Sequence, residues 1–190
     1  RHYSNTMFNI MRGGIFDAND EFDATGGTVQ FTGSGGSLKL GGATVTSLGN
    51  TLTEGTGTIE YDYAGNQTVL SETYYNLTIN NSTGVKTAGG ALDIDGDFTI
   101  AAGPFNPLNF NHTVAGNWDS ELGLFDAGTG TGKITFDGTT SANIKTGSSN
   151  DFHHFEINTT ADKTVTTNNL NIDGDFTIIL GTFNPGAFSH

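Results

Sequence analysis

The chain has 190 residues, with 20 acidic against 7 basic side chains and a formal net charge of −13. So few cations cannot neutralise a phosphate backbone or hold an anionic membrane surface, which argues against nucleic acid and lipid headgroups as partners. The absence of cysteine excludes a disulfide framework and thiolate metal sites, and no apolar run has the length of a membrane span.

Taken in order, residues 1–13 show no clear pattern, and the stretch 7–12 is too short and too close to Gly13 and Gly14 for a helix. From there the signal is alternation of apolar and polar residues over short runs. It appears at 28–32 (TVQFT), 58–62 (TIEYD), 76–80 (NLTIN), 92–94, 98–100, 133–137 (KITFD) and 155–157. Period two in residues rich in β-branched and aromatic side chains predicts strands with one buried face. Glycine- and asparagine-rich stretches separate the runs, at 33–36, 41–42, 55–57, 64–66, 89–90, 128–132 and 147–150, and predict sharp corners.

The chain also repeats itself. Residues 92–112 (LDIDGDFTIAAGPFNPLNFNH) return as 170–190 (LNIDGDFTIILGTFNPGAFSH), an offset of 78. Leu77 and Ile79 match Phe155 and Ile157 at the same offset. Ile59 and Tyr61 match Ile134 and Phe136 at 75, which places a three-residue insertion, expected in the corner at 147–150. Phe22, Ala24, Val29 and Phe31 echo Phe125, Ala127, Ile134 and Phe136, a partial further copy.

Ile59, Ile79 and Ile100 stand 20 and 21 residues apart, and Ile134, Ile157 and Ile178 stand 23 and 21 apart. Such intervals suit one coil of a stacked repeat. The predicted fold is all-β, a parallel β-helix (β-solenoid) built from repeats of about 78 residues. It forms one continuous array over 1–190: a partial repeat at 1–54, a repeat at 55–129 and a truncated repeat at 130–190. The alternative is a series of tandem β-sandwich domains.

The order Gly116, Asn117, Trp118, then 123–130 (GLFDAGTG), then 134–138 (ITFDG), together with 75–81 (YNLTINN), resembles the tandem repeats of large bacterial surface and secreted proteins. These are of the filamentous-haemagglutinin and autotransporter-adhesin kind, and the resemblance covers most of 14–190. It implies an extracellular β-solenoid with a structural or adhesive role and no catalytic residues.

Two clusters carry possible chemistry. Asp93, Asp95 and Asp97 offer three oxygen donors at alternate positions, echoed by Asn171, Asp173 and Asp175, as at the opening of a calcium loop. No glutamate closes such a loop, and Asp-Gly pairs also make plain turns. His153, His154 and Glu156 form the densest titratable group, short of a third zinc ligand. Six glycosylation sequons follow from the Asn- and Thr-rich composition. No nucleophile–base pairing stands out, so no enzyme is expected and no cofactor beyond calcium.

Neither end carries a polar cap of the sort repeat proteins use. The chain opens on Arg1, as a processed product or a piece of something longer would. The expectation is head-to-tail self-association into a filament, sheath or matrix fibre, through Arg1, Tyr3, Met7, Phe8 and Ile10 at one end and Phe183, Phe188 and His190 at the other. The alternative is an adhesin stalk or carbohydrate-binding surface module, with Tyr74, Tyr75 or Trp118 as platforms for glycans on a host or cell surface. Either way the protein is expected to be secreted or at the cell surface.

Overall fold

The computed structural model describes residues 2, 6–127 and 130–187, which hold 26 short strands and no helix. Three strands and three corners make one turn. Turn 1 is β1 (Met7–Met11), β2 (Ile15–Ala18) and β3 (Phe22–Asp23); turn 2 is β4 (Thr28–Thr32), β5 (Ser37–Leu40) and β6 (Val45–Ser47). Turn 3 is β7 (Thr51–Thr53), β8 (Thr58–Tyr61) and β9 (Gln67–Val69); turn 4 is β10 (Thr73–Tyr74), β11 (Asn76–Asn80) and β12 (Lys86–Ala88). Turn 5 is β13 (Asp93–Ile94), β14 (Phe98–Ala102) and β15 (Pro104–Asn106); turn 6 is β16 (His112–Val114), β17 (Trp118–Ser120) and β18 (Leu124–Phe125). Turn 7 is β19 (Lys133–Phe136), β20 (Ala142–Thr146) and β21 (Asp151–Phe152); turn 8 is β22 (His154–Asn158), β23 (Lys163–Thr167) and β24 (Asn171–Ile172). A ninth turn holds β25 (Phe176–Leu180) and β26 (Phe183–Asn184).

All the strand pairs are parallel and join a strand to its equivalent one turn on, so the molecule is a β-solenoid with three faces. The second strands of the turns form face 2, one unbroken sheet of nine strands from β2 to β26. Face 1 is divided into β1-β4-β7 and the six-stranded sheet from β10 to β25. Face 3 comes in three pieces, β3-β6, β9 to β18 and β21-β24, the last two joined by a bridge between Asp126 and Asp151.

Alternation does the packing. On face 2, Leu38, Ile59, Leu77, Phe98, Trp118, Ile144 and Val165 stack in register, each at most 2% exposed. Fully burying one such side chain is worth about 1.5–3 kcal/mol, so a column of seven is a large part of the stabilisation. Inside turns 5 to 8 an aromatic cluster fills the lumen: Trp118 lies 4.7 Å from Phe98, 4.8 Å from Phe125 and 5.1 Å from Phe152, ring centre to ring centre. Close stacking explains the glycines after aspartate. A Cβ at Gly138 would overlap the carbonyl of Ala115 one turn below.

The register corrects the isoleucine spacing. Ile59 stacks on Leu77, not Ile79, and Ile134 stacks on Phe155, not Ile157. Ile79 with Ile100 and Ile157 with Ile178 do stack as expected.

The 78-residue unit is not a whole number of turns. Its matched strands are β8 with β19, β11 with β22, β13 with β24 and β14 with β25, always eleven strands apart. With three strands to a turn, eleven strands fall one face short of four turns. The same sequence therefore lies on face 2 in one copy and on face 1 in the next. A strand–corner–strand module asks only that inner residues meet apolar neighbours above and below, and all three faces meet that demand.

Candidate functional site

The candidate calcium ligands belong to outward ladders. In turns 4 to 6 of face 2 the residue before the inner apolar side chain accepts the backbone N–H of its equivalent one turn on. Asn76 Oδ1 accepts from Asp97 at 2.8 Å, Asp97 Oδ1 from Asn117 at 2.7 Å, and Asn117 Oδ1 from Asn143 at 2.9 Å. Asn117 Nδ2 also donates to Asp97 Oδ1 at 3.0 Å. Asp93 sits between Thr73 and Thr113, whose hydroxyls donate to its two oxygens. Partial burial raises the Asp95 pKa above its usual range, and the nearby carboxylates of Asp93 and Glu54 add to this.

Asp93 lies in β13 on face 1, Asp95 at the bend that follows it, and Asp97 just before β14 on face 2, so the three carboxylates are spread around a corner. The echo at Asp173 and Asp175 lies at the corner leading into β25, on other faces from the first copy. No group of three or more His, Cys, Asp or Glu side chains able to hold a metal occurs among the described residues. If Asp97 is a ladder link, Asp97→Asn will keep the acceptor and stay within about 0.5 kcal/mol of the parent, while Asp97→Ala will lose about 1–2 kcal/mol. Urea unfolding midpoints of the two variants check this.

The histidines are ladder members too. His154 Nδ1 accepts the N–H of Asp175 at 2.9 Å, as Asn111 Oδ1 accepts that of Lys133 at 3.1 Å two steps earlier in the column. A ring nitrogen that accepts carries no proton, so the 3.5 Å approach of the Asp175 carboxylate to the same nitrogen is no ion pair in that tautomer. Glu156 is held by Lys133 Nζ at 2.7 Å and Thr135 Oγ1 at 3.2 Å. His153 lies edge-on to His154, with ring centres 4.4 Å apart.

His112 is buried inside turn 6, taking the N–H of Leu92 on Nδ1 at 3.0 Å and giving Nε2–H to the Pro107 carbonyl at 3.1 Å. Burial pushes its pKa down, against the opposing pull of the Pro107 carbonyl. The unfolded chain then binds a proton below about pH 6.5 that the folded chain refuses, so stability falls as pH drops through that region. In His112→Gln this part of the acid loss is expected to vanish, as read from melting temperatures between pH 7 and 5.

Sequence reasoning missed the buried donors at the corners. Gln67 Nε2 donates to the carbonyls of Leu40 (2.9 Å) and Gly42 (2.7 Å). Lys86 Nζ donates to Tyr63 (2.6 Å) and Gly65 (3.0 Å), and Lys163 Nζ to Thr140 (2.9 Å), Gly138 (3.3 Å) and Ala115 (3.4 Å). Asn150 Nδ2 serves Ser120 and Gly123 in the same way. In each case an inward side chain serves carbonyls at a corner one turn back, and Lys163 also reaches Ala115 two turns back, helping to satisfy backbone acceptors in the interior. Lys86 and Lys163 are 0% exposed. Burial lowers both pKa values, that of Lys86 to about 8, with Asp62 and Asp137 respectively opposing the shift. The available signal was the recurrence of Lys-Thr-Ala (86–88) as Lys-Thr-Val (163–165) in a chain with 7 basic residues.

The aromatic platforms are corrected. Tyr74 and Trp118 point into the core, 0% and 1% exposed, because both occupy inner positions of the alternation. Tyr74 stacks on Ile94 and its hydroxyl lies 3.1 Å from that of Tyr61; Trp118 stacks between Phe98 and Ile144. Tyr75 is half-buried at a corner. Of the sequons, Asn81 is sealed at 1% exposure.

At the two ends, Met7 is exposed, Phe8 half-buried and Ile10 buried, and Phe183 is half-buried against Phe155 and Phe176. Arg1, Tyr3, Phe188 and His190 lie outside the described residues. Phe176, Ile178 and Leu180 are 44%, 47% and 51% exposed, whereas Phe155 and Ile157, one turn earlier in the same columns, are 0%. No family model matches this chain, and neither does any curated protein or solved structure.

Proposed function

We propose that the chain is a structural rod, a segment of an extracellular filament, sheath or matrix fibre that lengthens head to tail by adding turns of its own kind. The observation that supports this is the unbroken parallel stacking of face 2, nine strands whose inner column is sealed from Leu38 in turn 2 to Val165 in turn 8. Each turn laid on the last extends these columns and buries the turn beneath it, so growth by like turns is favoured. The work of such a rod is mechanical. Each turn adds about 4.8 Å of length and further interstrand hydrogen bonds, continuous along face 2. Exterior placement rests on the likeness to bacterial surface repeats and on an acidic, polar exterior suited to water. Negative-stain images and sedimentation over a rising concentration series test the reading. Rods of constant width and growing length are expected; discrete monomers throughout would overturn it.

A further inference from the structure

We infer that the corner between faces 2 and 3, from turn 5 to turn 8, is a binding site for a neutral oligosaccharide lying along the solenoid axis. The site does not depend on how the rod lengthens, so its failure would leave the reading above untouched.

The repeat itself marks this corner. The offset between the two copies changes from 75 at Ser71 and Thr146 to 78 at Glu72 and Asn150, so Gly147, Ser148 and Ser149 are extra residues of the second copy. They fall between β20 and β21 and form an exposed ridge there. A cavity lies on each side of it. The one toward turn 5 has a volume of about 360 Å³ and is lined by Pro104, Glu121, Leu122 and Leu124. The one toward turn 8 has about 420 Å³ and is lined by Asp151, Asn168 and Asn171. Ser148 and Asn150 line both, so the two make one groove bent over the ridge. Three turn spacings give it a length of roughly 14 Å along the axis, room for a short oligosaccharide.

The ridge is tied down on both sides. Asn150 is 3% exposed; its Nδ2 donates to the carbonyls of Ser120 (3.2 Å) and Gly123 (3.4 Å), and its Oδ1 accepts the N–H of Phe125, all in turn 6. From turn 8, Asn168 Nδ2 donates to the Thr146 carbonyl at 2.6 Å. Asn168 does so from a left-handed backbone, φ 53°, which asparagine tolerates better than most side chains. A groove held in this way loses little entropy when a ligand enters.

The lining selects the ligand. Among the described residues no Lys, Arg or His lines either cavity, while Glu121 and Asp151 do, so phosphate, sulfate and uronate groups are repelled. The two carboxylates belong to different cavities and form no cage for a cation. Toward turn 8, Asn171 Nδ2 donates to Asp151 Oδ1 at 2.6 Å, which leaves the amide oxygens of Asn168 and Asn171, the second Asp151 oxygen and the exposed Ser148 hydroxyl for a ligand. Such a mixture of acceptors and a hydroxyl matches sugar hydroxyls, each of which both donates and accepts. Toward turn 5, Leu122, 82% exposed, and Pro104 give an apolar pad for the C–H face of a sugar ring.

The test is calorimetric titration with neutral gluco-, manno-, galacto- and N-acetylglucosamine oligosaccharides, and with an oligogalacturonate of the same length. At least one neutral chain is expected to bind saturably, and the anionic chain is not. Deleting residues 147–149 gives the corner the length it has in the first copy and is expected to weaken binding about tenfold or more. Asn168→Gly, which keeps the left-handed backbone, and Leu122→Ala, at an exposed side chain, should each weaken it about three- to tenfold. Thr78→Ala, outward on face 2 and away from the groove, should leave it unchanged. Melting temperatures show which variants are folded, and if the deletion does not fold the two point variants decide. Binding of no neutral chain overturns the proposal, and so does tighter binding of the anionic one. Binding that survives unchanged in Asn168→Gly and Leu122→Ala places the ligand elsewhere and overturns it too.

Discussion

Trp118→Ala is expected to cost about 3–5 kcal/mol, the range for truncating a large buried aromatic side chain. Trp118 is 1% exposed, and its ring meets Phe98 in the turn below, Phe125 in its own turn and Phe152 in the turn above. Its Nε1–H donates to Ser120 Oγ at 2.8 Å, so truncation also takes one of two partners from a buried hydroxyl, which keeps the Lys145 carbonyl at 3.4 Å. In a solenoid each turn touches only its neighbours, and a cavity this size weakens the coupling between the turns on either side. Unfolding of the variant should therefore broaden or split into two transitions. Urea unfolding followed by far-ultraviolet circular dichroism measures this, since the variant loses the chain's one tryptophan. Trp118→Phe keeps most of the packing and should lose about 1–2 kcal/mol, and Leu122→Ala, at a side chain 82% exposed, should stay within about 0.5 kcal/mol. A loss under about 1 kcal/mol for Trp118→Ala would mean that the aromatic cluster is not what couples turns 5 to 8.

The inward position of Trp118 was open to view in the sequence. In 117–120 (NWDS) the alternation already sets Trp118 opposite to Asn117 and Asp119, and only the habit of placing lone aromatics on binding surfaces argues otherwise. The strands and corners were legible for the same reason, since period two and glycine-rich breaks are local signals. Stacking register was less so. Ile59 meets Leu77 because the turn between them has 18 residues, and bulges after Ile79, Ile144 and Ile157 shift the count within otherwise regular strands. A bulge leaves no mark on an alternating sequence, and leucine or phenylalanine fills an inner column as well as isoleucine does. The rotation of the repeat by one face is invisible until strands are assigned to faces. The buried lysines were harder still, because lysine at the head of a Thr-rich strand has the look of a solvated residue, and the carbonyls it serves converge only when two turns are stacked.

Those lysines have the second large effect. Lys163→Met keeps the length of the side chain but removes the ammonium donor from the carbonyls of Thr140, Gly138 and Ala115, of which Gly138 keeps the Thr159 hydroxyl at 2.6 Å. Each buried acceptor left unpaired is worth about 1–3 kcal/mol, partly offset because a buried charge is also removed, so a net loss of about 2–4 kcal/mol is expected. Lys86→Met should behave alike, and its pH dependence identifies the cause. Burial holds the Lys86 pKa in the folded chain at about 8, below the ordinary lysine value of 10.5. Below pH 8 both states hold the proton and the residue adds no slope. Between about 8 and 10.5 the unfolded chain holds a proton that the folded chain has released, so stability rises with pH across that window. Lys163, also lowered, adds a slope of the same sign. Buried Tyr61, raised to about 12, acts the other way, because above about pH 10 the unfolded tyrosine ionises while the folded one cannot. Stability of the parent should therefore climb from pH 8, pass a maximum near about pH 10 and then fall. In the Lys86→Met, Lys163→Met double variant the climb should be gone and the fall retained. A double variant that climbs as the parent does would show that the two ammonium groups do not carry their burial cost in the folded rod.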